Sequence, residues 1–241
     1  EKVIIDLDAS GNGTATVGVS GESDTLVDIE NITGSSVGDD ITGNDYINTL
    51  LGMAGADTLK GEGGADYIDG GADNDSIYGG ADDDSIYGGS GDDTLSGEAG
   101  KDTLRGGTHT ITTGLEGSGD PLSGKGDTAS YSYLDTGTNK IVVDLSSNQA
   151  IVYNGSTAST TDIDQLVDIE NINGSINDDT MTGNSSNNSL IGNSGNDLFY
   201  GSEGIDIIDG GTGTYIDIAN YSTLNQRIIL TTNDNGSTSN T

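Results

Sequence analysis

Ten aspartates recur on a nine-residue grid: Asp39, Asp57, Asp66, Asp75, Asp84, Asp93 and Asp102 in one stretch, then Asp179, Asp197 and Asp206 in a second. Asn48 and Asn188 hold the same position in two further repeats, and an apolar residue follows two places after each of the twelve. A solvated acidic face would explain the charge but not the spacing. If the repeats stack as coils of a sheet, roughly 4.7–4.9 Å apart, like charges on successive coils repel by about 1 kcal/mol in bulk water and about 3–4 kcal/mol at an effective dielectric of 20. A cation held between the turns reverses that sign. The chain has no Cys, which leaves oxygen ligands. Carboxylates and backbone carbonyls suit Ca²⁺ in its flexible six- to eight-fold geometry better than Mg²⁺, which keeps several waters. The ten aspartates are therefore the expected metal ligands, with multiple calcium ions as the cofactor.

The elements that must position them follow from the repeat itself. Gly34 to Arg105 divides without a gap into eight nonapeptides, from GSSVGDDIT to GEAGKDTLR, and Gly174 to Asp209 into four. Their eighth positions are Ile41, Leu50, Leu59, Ile68, Ile77, Ile86, Leu95 and Leu104, then Met181, Leu190, Phe199 and Ile208. Glycine opens every unit and often returns at positions two and four, where it breaks helices and permits positive φ in tight turns. The last three positions, as in SIY or TLS, put one apolar side chain between smaller polar ones and read as a short strand with one residue inward. Two units then make one coil, with a turn on each side. Asp57, Asp75 and Asp93 fall on one edge, Asp66, Asp84 and Asp102 on the other.

A longer repeat contains the shorter one. LVDIENITGS at 26–35 returns as LVDIENINGS at 166–175, VIIDL at 3–7 as IVVDL at 141–145, and DTASYS at 127–132 as DIANYS at 217–222. The expected organisation is a β-strand flank and cap at 1–33, a roll of eight units at 34–105, and a loop with the DTASYS end segment at 106–139. A second flank and cap follows at 140–173, a roll of four units at 174–209, and at 210–241 an end segment that opens a further module. The chain starts at Glu1 without a Met, with no basic leader and no apolar run long enough to span a bilayer, and so reads as an excerpt with no visible targeting or membrane segment.

The units GGADNDSIY, GGADDDSIY and GGSGDDTLS most closely resemble the GGxGxDxUx nonapeptide of the RTX (repeats-in-toxin) calcium-binding family, and the twelve units cover 108 of 241 residues. The resemblance implies an all-β fold: a parallel β-roll, or RTX β-solenoid, with flanking β-strand capping segments in tandem modules. It further implies that each Ca²⁺ is held by sixth-position Asp side chains and turn carbonyls from units two apart. Secretion as a disordered chain that folds on meeting extracellular calcium is also implied. Asn48 and Asn188 depart from the motif and are expected to bind weakly or not at all.

Composition narrows the partners. With 40 acids against 7 bases and a net charge of -33, the chain repels phosphates and anionic lipid, so no nucleic acid and no membrane insertion are expected. Leu, Ile, Val and Phe make up about a fifth of the residues, near the level at which a highly charged chain fails to fold unaided. DLDASGNG at 6–13 resembles the start of an EF-hand loop, but Val17 stands where the bidentate Glu belongs, so a strand and turn are expected. The string Gly34–Gly38 fits GxSxG, yet it lies inside a nonapeptide, and His109, the one His in the chain, sits in a Gly/Thr-rich loop. The expected function is therefore a non-catalytic, calcium-binding structural segment of a large secreted or cell-surface bacterial protein: an S-layer, adhesin, matrix or filament component. Its expected partners are calcium, neighbouring modules of the same protein, and copies of itself in a lattice or fibre. The rival is a non-catalytic RTX accessory region of a secreted peptidase, lipase or alginate epimerase. Ice binding would need a regular outward Thr array, which Thr58, Lys60, Ser76 and Tyr78 do not make.

Overall fold

A computed structural model describes residues 1–8, 10–18, 21–108, 126–134, 137–154, 157–212 and 215–222. His109 and Pro121 of the insertion loop lie outside these residues, as does the aliphatic run Ile228, Ile229 and Leu230. The described residues are all-β and form a parallel β-roll of two eleven-stranded sheets. Alternate nonapeptides feed alternate sheets, so each strand pairs in parallel with the strand two units on: Leu50 with Ile68 and Ile68 with Ile86 in one sheet, Leu59 with Ile77 and Ile77 with Leu95 in the other. The eighth-position side chains point inward. From Ile41 to Leu104 all eight are at most 1% exposed, as are Met181, Leu190 and Phe199, while Ile208 packs half-buried at the far end. Burying one such side chain contributes roughly 1.5–3 kcal/mol, and an in-register stack repeats that gain at every rung.

Strands of the first array are longer than the sequence pattern suggests. Thr58–Gly63 and Ser85–Ser90 each run on through the opening positions of the next unit, because the glycine backbones at those positions also stack two units apart, as Gly71 and Gly89 do. In the second array Thr180–Thr182 and Leu198–Tyr200 keep to the last three positions of their units.

The flanks are antiparallel meanders. Val3–Leu7 pairs with Gly13–Val17 and, in parallel, with Asp40–Asn44. The DLDASGNG stretch is thus a strand followed by a turn in which Asp8 accepts the amides of Ser10 and Asn12. The second meander, Asn139–Asp144, Gln149–Asn154 and Thr157–Val167, lies within one sheet: its last strand pairs with Thr103–Thr108 and its first with Thr180–Thr182. In the other sheet Thr128–Ser130 pairs with Thr94–Ala99 on one side and Asn171–Asn173 on the other. Both sheets therefore run from the first array into the second. Outward side chains also stack: Tyr67 and Tyr87 rings lie 5.3 Å apart, and Lys60 and Arg105 sit over Tyr78 and Tyr87.

Candidate metal centre

Stacking of alternate units brings their sixth positions together as two ladders. Along one edge the amides of Asp39, Asp57 and Asp75 donate to Oδ1 of Asp57, Asp75 and Asp93 at 2.6, 2.8 and 2.9 Å. Along the other, the amides of Asn48, Asp66 and Asp84 donate to Oδ1 of Asp66, Asp84 and Asp102 at 2.7, 2.8 and 2.9 Å. In the second array the amide of Ile141 donates to Asp179, that of Asp179 to Asp197, and that of Asn188 to Asp206. One carboxylate oxygen of each aspartate is thereby used to hold the rung before it.

The other oxygen is left over in seven of the ten. Oδ2 of Asp57, Asp66, Asp75, Asp84, Asp93, Asp102 and Asp197 is buried and meets no hydrogen-bond donor, in residues that are 1–3% exposed. Leaving a buried carboxylate oxygen unmatched costs on the order of 1–3 kcal/mol or more. Burial pushes these acids up, to about 7 for Asp66 and Asp75, about 8 for Asp84 and about 6 for Asp93. The backbone hydrogen bond to each pulls partly back. The charges of Asp57 and Asp93 raise Asp75 further, as those of Asp66 and Asp102 raise Asp84.

Five of the seven leftover oxygens, those of Asp57, Asp66, Asp75, Asp84 and Asp93, face a small cradle. A methyl group built on Gly52, Gly61, Gly70, Gly79 or Gly88 would collide both with Oδ2 of the aspartate in the same unit and with the carbonyl of the glycine that opens the unit two further on. Carboxylate and carbonyl oxygens thus line one space that only glycine leaves free. Among the described residues no three acidic or imidazole side chains converge on a point, so a cation there would be held by a carboxylate together with backbone carbonyls. That donor set is hard, all-oxygen and partly anionic, and it fits calcium.

The remaining three predicted ligands are placed differently. Oδ2 of Asp39 accepts the amide of Ser35; Oδ2 of Asp179 accepts both the amide and the hydroxyl of Ser175 at 2.7 and 3.0 Å; Oδ2 of Asp206 accepts the hydroxyl of Ser202 at 2.8 Å. Asn48 and Asn188 accept the amides of Asn44 and Asn184 in the same way.

Three acids outside the grid continue the ladders. The amide of Asp93 donates to Oδ1 of Asp127, that of Asp102 to Asp164 and that of Asp197 to Asp217. Two of them carry the local signal of the repeat, an acid two places before a buried residue: Asp127 before Ala129 and Asp164 before Leu166; Asp217 stands two places before Ala219, which pairs with Phe199 but is exposed. Gly106-Gly107-Thr108 begins a ninth nonapeptide of the first array that 125–130, KGDTAS, completes with Asp127 at its sixth position, 109–124 being inserted between. The cradle recurs at Gly106, where a methyl would meet Oδ2 of Asp127 and the carbonyl of Asp168. Asp164 is closed by a protein donor instead, since its Oδ2 accepts the Tyr131 hydroxyl at 2.9 Å.

A parallel roll whose stacked turns present carboxylate and carbonyl oxygens defines a calcium-binding β-solenoid. Residues 42–77, 78–108 and 173–208 match the family model of the RTX calcium-binding nonapeptide repeat (4 copies), so the chain carries RTX repeats in both arrays. No curated protein matches it.

Proposed function

We propose that the chain is a calcium-folded structural segment of a large secreted or cell-surface bacterial protein, such as an S-layer, adhesin, matrix or filament component. The observation that carries this reading is the row of buried carboxylate oxygens with no donor. Asp57, Asp66, Asp75, Asp84, Asp93, Asp102 and Asp197 would hold the ions together with turn carbonyls, and Asp127 would extend the first edge across the junction of the arrays. Bound calcium supplies positive charge between rungs that otherwise repel, and coordination that replaces the missing hydrogen bonds. The residues themselves set the spacing and exclude water. A fold that depends on such links is stable only where calcium is plentiful, about 10⁻⁴–10⁻³ M for extracellular modules. The stiff roll would act as a spacer or lattice element joined to neighbouring modules, with its acids committed to binding rather than catalysis. A calcium titration of the purified chain by circular dichroism tests the reading: β structure should rise with calcium and fall with chelator. A spectrum indifferent to both would reject it.

A further inference from the structure

The twelve turns fall into two classes, and one backbone angle sorts them. In the units that contain Asp57, Asp66, Asp75, Asp84, Asp93, Asp102 and Asp197, the second residue is left-handed: Met53 (φ 86°), Glu62 (78°), Gly71 (111°), Gly80 (118°), Gly89 (112°), Glu98 (69°) and Asn193 (73°). In the other five units the second residue is Ser35, Asn44, Ser175, Asn184 or Ser202, and none of these has a positive φ. The chemistry divides along the same line. Each of the seven left-handed turns leaves Oδ2 of its aspartate without a donor. Every other turn closes on itself, its second residue donating an amide or hydroxyl to the sixth-position side chain.

The left-handed form is costly for a residue with a Cβ, yet Met53, Glu62, Glu98 and Asn193 adopt it. The roll does not force this, since the same fold accommodates Ser and Asn turns of the other hand. Strain retained at a particular place, next to an unsatisfied buried carboxylate, is what a ligand site leaves behind when its ligand repays the cost.

We propose that the backbone hand of the second residue selects which turns bind calcium. Left-handed turns take an ion; the turns of Ser35, Asn44, Ser175, Asn184 and Ser202 are capped by their own second residues and take none. This rests on the calcium reading above and deepens it, because Asp39, Asp179 and Asp206 become structural carboxylates despite holding the ligand position of the motif. Gly107, the second residue of the split unit, is left-handed at 116°, which assigns the turn of Asp127 to the binding class. In the second array Asp197 stands alone between capped turns, whereas the binding turns of the first array run unbroken from Asp57 to Asp102.

The test is the number of calcium ions bound by the folded full chain, measured by equilibrium dialysis with radioactive calcium and checked by calorimetric stoichiometry. Asn193→Ser should lose one ion, because it installs the cap already used at Asp179 and Asp206. Ser202→Gly should gain one by freeing Asp206. Asp179→Asn should leave the number unchanged, whereas Asp75→Asn should lower it by one. An unchanged number in both Asn193→Ser and Ser202→Gly, or a loss in Asp179→Asn, overturns the selection rule while leaving calcium binding intact. A wild-type chain that binds no calcium overturns the reading on which the rule rests.

Discussion

The amide of Asp66 donates to Oδ1 of Asp84 at 2.8 Å across one turn of the roll, while Oδ2 of Asp84 meets no donor at all. One side chain thus does two jobs, tying adjacent rungs with one oxygen and facing a glycine-lined cradle with the other. Asp84→Ala should remove both. Losing a hydrogen bond to a charged group costs about 1.5–3 kcal/mol, so the calcium midpoint for folding should rise about tenfold or more.

Its neighbour Asp83 provides the contrast. Asp83 is exposed and accepts the amide of Lys101 at 3.0 Å, one link of an outer ladder in which Asn74 likewise accepts from Asp92. Asp83→Ala should therefore cost less than about 1 kcal/mol, the net worth of an ordinary hydrogen bond, and leave the number of bound ions unchanged. Parallel calcium titrations followed by circular dichroism compare the two; an equal or larger effect of Asp83→Ala would place the ligand at the fifth position instead.

Filling a cradle gives an independent probe. An alanine at Gly70 would press on Oδ2 of Asp75 and on the Gly88 carbonyl, and overpacking of this kind costs about 1–3 kcal/mol. Gly70→Ala should lower calcium affinity and the melting temperature of the loaded chain. Gly21→Ala, at a flank turn with open space around it but φ at +70°, should lower stability without reducing the number of ions. Scanning calorimetry with a calcium count separates the two.

Much of this was legible in the sequence. The nine-residue spacing of Leu59, Ile68 and Ile77 specified a two-sided coil, and it follows that Asp57 and Asp75 share an edge while Asp66 lies on the other. Asp127 escaped because the insertion at 109–124 separates the two halves of its nonapeptide, so that a grid of nine cannot register it. Asp164 sits in a flank with no glycine turn before it, and only strand pairing shows that Thr157–Val167 continues the rungs. The caps on Asp39 and Asp179 were hidden for another reason. Ser35 and Ser175 look like ordinary polar substitutions, and their effect depends on a backbone angle that composition does not reveal.

Acidity should act with opposite sign on the metal-free and calcium-loaded chains. Carboxyls raised from 3.8 to about 7 or 8, as in Asp75 and Asp84, bind protons more tightly when folded. Their contribution to stability is complete below the unfolded value and is lost as pH rises through the folded one. Metal-free protein should therefore lose residual β structure between about pH 4 and pH 8, and the calcium midpoint should fall over the same interval as protons leave the ligands. Circular dichroism at fixed ionic strength, with and without chelator, reads both trends.

Asp127 tests the junction. It accepts the Asp93 amide through its side chain, while its own carbonyl takes the amides of Glu170 and Asn171. Asp127→Asn keeps the shape and removes the charge. One fewer ion is expected, with faster amide exchange in Thr128–Ser130 and Asn171–Asn173 than in Thr58–Gly63. Uniform exchange across all three strands, with the ion count unchanged, would mean that Asp127 only packs.

The most direct measurement is the far-ultraviolet circular dichroism of the purified chain in excess chelator, followed by titration of calcium into the millimolar range and a parallel titration with magnesium. The account predicts a largely disordered spectrum without calcium, a cooperative rise to β structure with it, and little response to magnesium at equal concentration. A full β spectrum in chelator that calcium leaves unchanged would contradict it, because the buried carboxylate oxygens of Asp57 to Asp102 would then be tolerated without an ion.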